Sequence, residues 1–233
     1  MNYLAAGFKL IFKPGIRLYA FIPFLINTAI FICLFFVAKS YFGKFNDWAI
    51  HFLPNWLSWL STILWFIFFI GFIFVAIYTF NFIANIIAAP FNSILSEKVE
   101  LYLTGKTANS QGYLGIIKDV PRVILRQVAI LGHFLPRALV LLVMFLIPVL
   151  QLAAPFLWFL FQAWIMALQY LDYPTDNHKI PFKAVVEKAS DKRLLSLSFG
   201  GSVFICSMIP FVNFLVLPAA CAGATKLWVD KLR

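Results

Sequence analysis

The stretch that decides the fold lies at residues 48–96 and reads WAIHFLPNWLSWLSTILWFIFFIGFIFVAIYTFNFIANIIAAPFNSILS, without one lysine, arginine, aspartate or glutamate. Three shorter stretches, Leu18–Ala38, Ala138–Leu171 and Leu194–Thr225, are equally free of charge. Charged residues make up 12% of the 233-residue chain, against about a quarter in ordinary soluble domains. A soluble core cannot bury this much apolar chain. The sequence therefore predicts an integral membrane protein.

The composition narrows the classes of partner that the chain can bind. The formal net charge is +10, yet no basic run accompanies a soluble fold of the kind that binds nucleic acid. Positive charge on a membrane protein instead favours anionic lipid headgroups, a small anion, or both. Three cysteines stand singly in apolar stretches without a CxxC pair, so neither a metal site nor a cofactor is expected.

The lengths of the uncharged stretches predict the arrangement of helices. A helix needs roughly 20 apolar residues to cross a bilayer, and Leu18–Ala38 fits one such span. Residues 57–89 predict a second, longer span that crosses with tilt. Ala138–Leu171 and Leu194–Thr225 exceed one span, yet each is too short for two spans and a turn. We therefore predict an all-α membrane protein with two long transmembrane helices and two re-entrant, half-penetrating helical hairpins, all within one membrane domain over residues 1–233.

Proline pairs near the middle of the last two stretches support the hairpins. Pro148 and Pro155 lie in one stretch, and Pro210 and Pro218 lie in the other; proline breaks helices from inside. A hairpin tip within the membrane exposes backbone groups that lipid does not tolerate, so protein or water must cover it. This requirement predicts a homo-oligomer or a polar path.

Amphipathic helices and the distribution of basic residues complete the predicted topology. Residues 4–12 and 182–189 each place apolar side chains on one helical face beside lysines, as in helices that lie at the membrane interface. Few basic residues lie in the predicted loop Lys39–Asp47 between the two spans, and most follow the second span. The positive-inside rule then places both termini in the cytoplasm.

The segment Lys13–Arg17 is the first candidate for a binding site. Pro14 and Gly15 break the interfacial helix before the first span, which predicts unpaired N–H groups at a helix start. A cation at this position is unfavourable by about 0.3–1 kcal/mol because of the helix dipole. Arg17 becomes favourable when an anion occupies the same pocket, since free N–H groups and a guanidinium both suit an oxyanion. The alternative is that Lys13 and Arg17 are flanking charges that extend to lipid headgroups.

Four further residues are candidates for lining an anion path: Arg122, Arg126, Gln151 and Asn213. Arg122 and Arg126 follow Lys118 at four-residue intervals and so share one helix face; the alternative is a basic face toward solvent or lipid. Gln151 and Asn213 fall at the predicted hairpin tips, where they either line a pore or satisfy the backbone of the tip.

Motifs for catalysis are weak in this chain. Residues 172–178 gather two carboxylates and a histidine, but no second cluster completes a metal shell or a protease pair, so a polar turn is expected. Residues 105–107, Gly-Lys-Thr, are similar to the end of a phosphate-binding loop, but Glu100 occupies the position of the upstream glycine. We predict a surface turn there and no enzyme activity.

Several segments together resemble the CysZ family of bacterial inner-membrane sulfate transporters. The matching segments are GIR at 15–17, IPFLIN at 22–27, AAPFN at 88–92, EKVE at 97–100, QYLDYP at 169–174, DNH at 176–178, SFG at 198–200, IPFVN at 209–213 and GAT at 223–225. They follow the family's order over nearly the whole chain. The family's Gly-Leu-Arg sulfate motif corresponds to Gly15, Ile16 and Arg17, with isoleucine in place of leucine.

The resemblance implies a function and an assembly. It implies sulfate uptake across a bacterial inner membrane to supply cysteine biosynthesis, by a multi-pass protein that forms a homo-oligomer and binds sulfate at Gly15, Ile16 and Arg17. It also implies the predicted fold of two long helices with half-penetrating hairpins. The alternative function is a membrane scaffold that binds anionic lipids through its basic interfacial helices.

Overall fold

The computed structural model describes residues 2–52, 91–106 and 120–233, with isolated positions between 63 and 74. The chain divides into two compact units, Met1–Ala20 with Asn92–Arg233 and Phe21–Phe91. Every regular element of the described residues is helical, so the predicted all-α class is confirmed. Whether the chain acts as one membrane domain stays a prediction.

From residue 120 onward the described helices follow one another with short connections. In chain order they are α1 (Tyr3–Ile11), α2 (Arg17–Phe52), α3 (helical at residues 91–104), α4 (Val120–Leu146), a 3₁₀ turn (Leu150–Leu152), α5 (Ala154–Asn177), α6 (Phe182–Asp191), α7 (Arg193–Ser207), α8 (Pro210–Leu227) and a π turn (Trp228–Leu232). Of these, α2 begins in the first unit and continues into the second.

Two close helix crossings hold the first unit together. A Cβ on Gly7 of α1 would overlap the carbonyl oxygen of Ala219 in α8, so only glycine lets these backbones approach. A Cβ on Gly200 of α7 would likewise overlap the carbonyl oxygen of Ala163 in α5, and Ala167 lies beside it one turn further on. Small residues at such crossings are how helices in membranes gain contact area, because lipid supplies little hydrophobic driving force between them.

The two amphipathic helices form where the sequence predicts them, but protein covers their apolar faces. In α1, Leu4 and Ile11 are buried and the helix packs chiefly against α8. In α6, Phe182 and Val185 are buried, and the helix packs against α5 and α7. Lys9 of α1 and Lys183 of α6 remain exposed. The amphipathic pattern therefore marks contact with the protein core rather than contact with lipid alone.

The first span is longer than its uncharged stretch. Helix α2 starts at Arg17 and runs without interruption to Phe52, passing through Pro23. The prediction of a loop at Lys39–Asp47 was therefore wrong, since charged residues are compatible with a helix that leaves the apolar layer. The apolar part, Arg17–Val37, is one candidate membrane span. The second predicted span, residues 57–89, lies almost entirely outside the described residues.

The third uncharged stretch forms a helical hairpin whose arms exceed the predicted bounds. Helix α4 has 27 residues and α5 has 24, lengths of about 40 and 36 Å at 1.5 Å per residue. Pro148 lies in the turn between them, as predicted, and Pro155 lies in the first turn of α5. Pro136 and Pro174, which lie outside the uncharged stretch, are accommodated inside α4 and α5 without ending either helix.

The fourth stretch also forms a hairpin, and its arms are short. Helix α7 has 15 residues and α8 has 18, with the turn at Met208 and Ile209. Pro210 begins α8, whereas Pro218 lies inside it, so the predicted tip at 210–218 is corrected to 208–209. Among the described residues, three helical segments are long and apolar enough to cross a membrane: Arg17–Val37, Leu125–Leu146 and Ala154–Asn177. How deeply the hairpins enter stays a prediction.

Candidate functional site

The turn between α1 and α2 places Gly15, Ile16 and Arg17 at a helix start, as the sequence predicts. Gly15 has φ of 84°, a left-handed conformation that favours glycine. Ile16 is 2% exposed and anchors the turn in the core. Arg17 is the first residue of α2, and its side chain is exposed. The turn therefore fixes its buried isoleucine and presents its arginine.

Two of the backbone N–H donors in this turn are already engaged. The N–H groups of Ile16 and Arg17 both donate to the carbonyl oxygen of Lys13, each at 3.1 Å. The N–H of Lys13 donates to Leu10 at 3.0 Å. The middle residue of the motif therefore contributes a buried anchor rather than a free donor.

The cations of this turn stand without carboxylate partners. Lys13 and Arg17 are both exposed, and within the described part of the chain neither lies in ion-pairing distance of a carboxylate. The open space around Gly15, where a Cβ would meet no atom within 4 Å, leaves access to the turn. Two neighbouring unpaired cations and an accessible backbone are an arrangement that an oxyanion can neutralise.

Arg126 has a different environment, because it joins α4 to the end of α5. Its side chain is 7% exposed, and its Nε and Nη2 donate to the Asp172 carboxylate at 2.7–3.1 Å. Its Nη1 donates to the carbonyl oxygen of Ile180 at 2.6 Å and lies 3.3 Å from Asp176. Nη2 also contacts the hydroxyl of Thr175 at 3.3 Å. All three nitrogens are thus engaged, and the geometry indicates a structural clamp.

Arg122 and the acidic segment complete this ion-pair cluster. Arg122 lies one helical turn before Arg126 and contacts Asp176 at 2.5 Å. Asp172 and Asp176 are four residues apart on one face of α5, opposite the two arginines. The prediction of a polar turn at 172–178 was wrong, since helix α5 continues to Asn177 and is stabilised there by the arginines. Lys118 lies outside the described residues.

A second polar seam, which sequence analysis missed, connects α3 to α5 and α8. Asn92 donates to the Tyr173 hydroxyl at 3.2 Å, and Ser96 shares a 2.8 Å hydrogen bond with Thr225. Glu100, 1% exposed, accepts from His178 at 2.8 Å. The spacing of Asn92, Ser96 and Glu100 at i, i+4 and i+8 places them on one helix face, and this regularity is the signal that sequence analysis could have used.

Gln151 and Asn213 lie near the hairpin turns, as predicted, and both are exposed. Gln151 belongs to the 3₁₀ turn at Leu150–Leu152, and Asn213 lies in the first turn of α8. Among the described residues, no hydrogen bond joins either side chain to another group. Their place in an anion path stays a prediction.

The remaining motifs are resolved by local structure. Gly105, with φ of 68°, donates to Leu101 and ends α3, which agrees with the predicted surface turn, although Thr107 lies outside the described residues. Within the parts of the chain that are described, no three His, Cys, Asp or Glu side chains are grouped so as to hold a metal ion.

The long apolar helices and close small-residue crossings define an α-helical membrane protein. Residues 3–218 match the family model described as "Sulfate transporter CysZ/Etoposide-induced protein 2.4". The chain belongs to this family, which confirms the resemblance seen in its motifs.

Two curated relatives support the assignment over full length. A protein named "Sulfate transporter CysZ" from Pectobacterium atrosepticum is 42% identical over 237 residues, covering 100% of this chain and 85% of the relative. Another protein of that name, from Pseudomonas fluorescens, is 44% identical over 231 residues, covering 98% of this chain and 92% of the relative. The family is one of transporters, and the scaffold alternative finds no support in these relatives.

Proposed function

We propose that this protein carries sulfate across a bacterial inner membrane and so supplies cysteine biosynthesis. The family and the names of both relatives support sulfate as the substrate. The observation that carries the proposal in this chain is the exposed Arg17, which begins α2 and has no carboxylate partner among the described residues. Arg122 and Arg126, in contrast, are neutralised by aspartates.

Gly15, Ile16 and Arg17 form the sulfate-binding site in this proposal. The forked guanidinium of Arg17 donates two parallel hydrogen bonds to a tetrahedral oxyanion, and such charge-assisted bonds are roughly twice as strong as neutral ones. Lys13 adds a second positive charge from the same turn. Ile16 fixes the turn by burial, and the left-handed Gly15 leaves one side of the turn open to the anion.

Net uptake of sulfate requires either a steep gradient or a coupled ion. Moving one charge against 100 mV takes about 2.3 kcal/mol, so an incoming dianion takes about 4.6 kcal/mol. A channel-like or secondary mechanism therefore works when assimilation keeps cytoplasmic sulfate low. We propose this mechanism for the chain, without an enzymatic activity of its own.

The exposed tips of the hairpins support half-depth insertion and a homo-oligomer. Leu146, Val149 and Leu152 around the first tip are 80–91% exposed, an arrangement that is unfavourable in water at about 25 cal/mol per Å² of apolar surface. A tip that stays in hydrocarbon or packs against another protomer removes this exposure. The 3₁₀ turn and connecting backbone also need cover, since lipid offers no hydrogen bonds.

Sulfate flux into proteoliposomes tests the proposed function. We expect radiolabelled sulfate to enter vesicles that contain the parent protein, and expect Arg17→Gln to reduce the initial rate by more than tenfold. Lys183→Gln, which removes an exposed cation from α6, is the matched control and should retain the parent rate. Sulfate flux no faster than that of protein-free vesicles would refute transport, whereas equal flux in Arg17→Gln would refute only the site.

Particle mass tests the assembly separately. Mass photometry of protein extracted into nanodiscs should give a multiple of the 26.6 kDa chain mass, after subtraction of the disc. A single-chain particle with full sulfate flux would contradict the homo-oligomer and would mean that one protomer closes its own path.

A further inference from the structure

An apolar cleft with two arginines opens among α4, α5 and α7. It has a volume of about 270 Å³, and its walls include Leu141, Leu160, Trp164 and Leu197 together with Arg137 and Arg193. A second cleft of about 520 Å³ adjoins it, because Arg137, Leu141 and Phe161 line both. The walls of both clefts are otherwise hydrocarbon and aromatic side chains.

The two arginines of this cleft have no carboxylate partner among the described residues. Arg137 donates to the backbone carbonyl of His133, and within the described residues neither Arg137 nor Arg193 pairs with a carboxylate. Arg122 and Arg126, earlier on the same helix α4, do pair with aspartates. Both side chains are exposed, and the repulsion between two like charges that line one cleft is relieved when an anion binds there.

The chemistry of the cleft selects an amphiphile over a free ion. A small anion would neutralise Arg137 and Arg193 but would leave the leucine and tryptophan walls empty. A phospholipid satisfies both requirements, since its phosphate accepts hydrogen bonds from guanidinium groups and its chains fill apolar space. Basic pockets between membrane helices are known sites for anionic lipid headgroups.

We propose that this cleft binds one anionic phospholipid. The phosphate lies between Arg137 and Arg193, one acyl chain occupies the cleft beside Leu160 and Leu197, and the other occupies the adjoining cleft beside Phe161. This site is separate from the turn at Gly15–Arg17 and does not depend on the identity of the transported ion.

The proposed position of the lipid headgroup also indicates how deeply the two hairpins enter the membrane. Ring contacts Phe145–Trp158 and Phe134–Phe161 show that α4 runs antiparallel to α5. The contact Phe159–Phe204 and the Gly200–Ala163 crossing show the same for α7. Helices α4 and α7 therefore run in one direction. A headgroup at Arg137 leaves residues 138–146, a rise of about 14 Å, to enter a core of about 30 Å.

Native mass spectrometry of the full-length protein in detergent tests the proposal. The probes are phosphatidylglycerol and phosphatidylcholine with identical acyl chains, added to delipidated protein. We expect phosphatidylglycerol to bind more tightly, and expect Arg137→Gln/Arg193→Gln to weaken it about 30-fold, because each basic residue near an anionic headgroup contributes a factor of about five. Lys183→Gln/Lys231→Gln removes the same charge from exposed positions outside the cleft and should bind as the parent does.

A second variant tests the apolar part of the site. Leu197→Trp fills the cleft without changing charge, so it should also weaken phosphatidylglycerol binding while Arg137 and Arg193 remain. If the double arginine variant fails to fold, Arg193→Gln alone replaces it, with an expected loss of about fivefold.

Three outcomes would overturn the lipid site. Equal binding of the two lipids would show that the cleft does not recognise the headgroup. An unchanged affinity in the double arginine variant would show that Arg137 and Arg193 do not bind the phosphate. Displacement of phosphatidylglycerol by millimolar sulfate, with no effect of Leu197→Trp, would mean that the cleft takes a free anion.

Discussion

Replacing Arg126 should destabilise the protein far more than replacing any exposed arginine. Arg126 is 7% and Asp172 16% exposed in their side chains, and the two are joined at 2.7 Å. In Arg126→Gln the Asp172 carboxylate loses this partner while it remains largely buried. Removing one member of a buried ion pair typically costs about 3–5 kcal/mol. At roughly 2–4 °C per kcal/mol for a chain of this size, the expected fall in Tm is about 6–20 °C.

An apolar double variant distinguishes the cost of the unpaired carboxylate from the value of the ion pair. Arg126→Met/Asp172→Leu replaces both charges by apolar groups and should recover most of the stability, since a hydrophobic pair often substitutes for a buried ion pair. The assay is intrinsic fluorescence of the detergent-solubilised protein during heating. Arg17→Gln serves as control and should shift the Tm by less than about 2 °C, because surface substitutions usually change stability by under 0.5 kcal/mol.

The same variants decide whether Arg126 belongs to an anion path. If Arg126→Gln keeps the parent Tm but lowers sulfate flux, the structural role of Arg126 is refuted. Arg126 would then be a candidate for lining the anion path again. A large loss of Tm in Arg126→Gln, recovered in the apolar double variant together with sulfate flux, would exclude a direct role in conduction.

Three further predictions follow from the helix starts, crossings and tips. Arg17→Ala should lower sulfate affinity by more than tenfold, since a charged hydrogen bond contributes about 1.5–3 kcal/mol; isothermal titration against the parent measures this, and unchanged affinity removes the site. Gly200→Ala should lower the free energy of unfolding by about 1–3 kcal/mol, measured as a lower Tm, because the added Cβ forces α5 and α7 apart. Gly132→Ala is the control and should not destabilise the protein, since Gly132 has open space around it. Equal Tm values in the two variants would contradict the close crossing. A spin label at Leu152→Cys should be relaxed by oxygen and shielded from a water-soluble nickel reagent, because the tip stays in hydrocarbon. Labelling of that cysteine by a membrane-impermeant maleimide from the far side would show instead that the hairpin crosses the membrane.

Charge patterning predicted which parts of the chain belong to the membrane, but not where helices end. Lys39–Asp47 was expected to be a loop because it is charged, yet α2 continues through it to Phe52. Charge reports contact with water, whereas helix ends depend on breaking residues and caps. Proline does not always end a helix in this protein, since Pro136, Pro174 and Pro218 each lie inside one. Neighbouring helices can compensate for the lost backbone hydrogen bond.

The candidate site was predictable where it depends on local sequence. Gly15 and Arg17 lie at a helix start because Pro14-Gly15 interrupts the chain, and this information is contained in five residues. The pairing of Arg122 and Arg126 with Asp176 and Asp172 joins residues more than 40 positions apart. Spacing of four within each helix shows that two basic and two acidic residues each form a stripe, but only tertiary packing brings the stripes together.

The arginines of this protein differ in role according to whether they form an ion pair with a carboxylate. Arg122 and Arg126 meet aspartates and hold α4 to α5, so their charge is neutralised within the chain. Arg17 and the pair Arg137 and Arg193 have no carboxylate partner among the described residues. Their surroundings separate them further. Arg17 projects from an open turn, where an ion can arrive and leave, whereas Arg137 and Arg193 line apolar walls that retain a hydrocarbon chain. A mobile anion therefore suits the first site and a resident lipid the second.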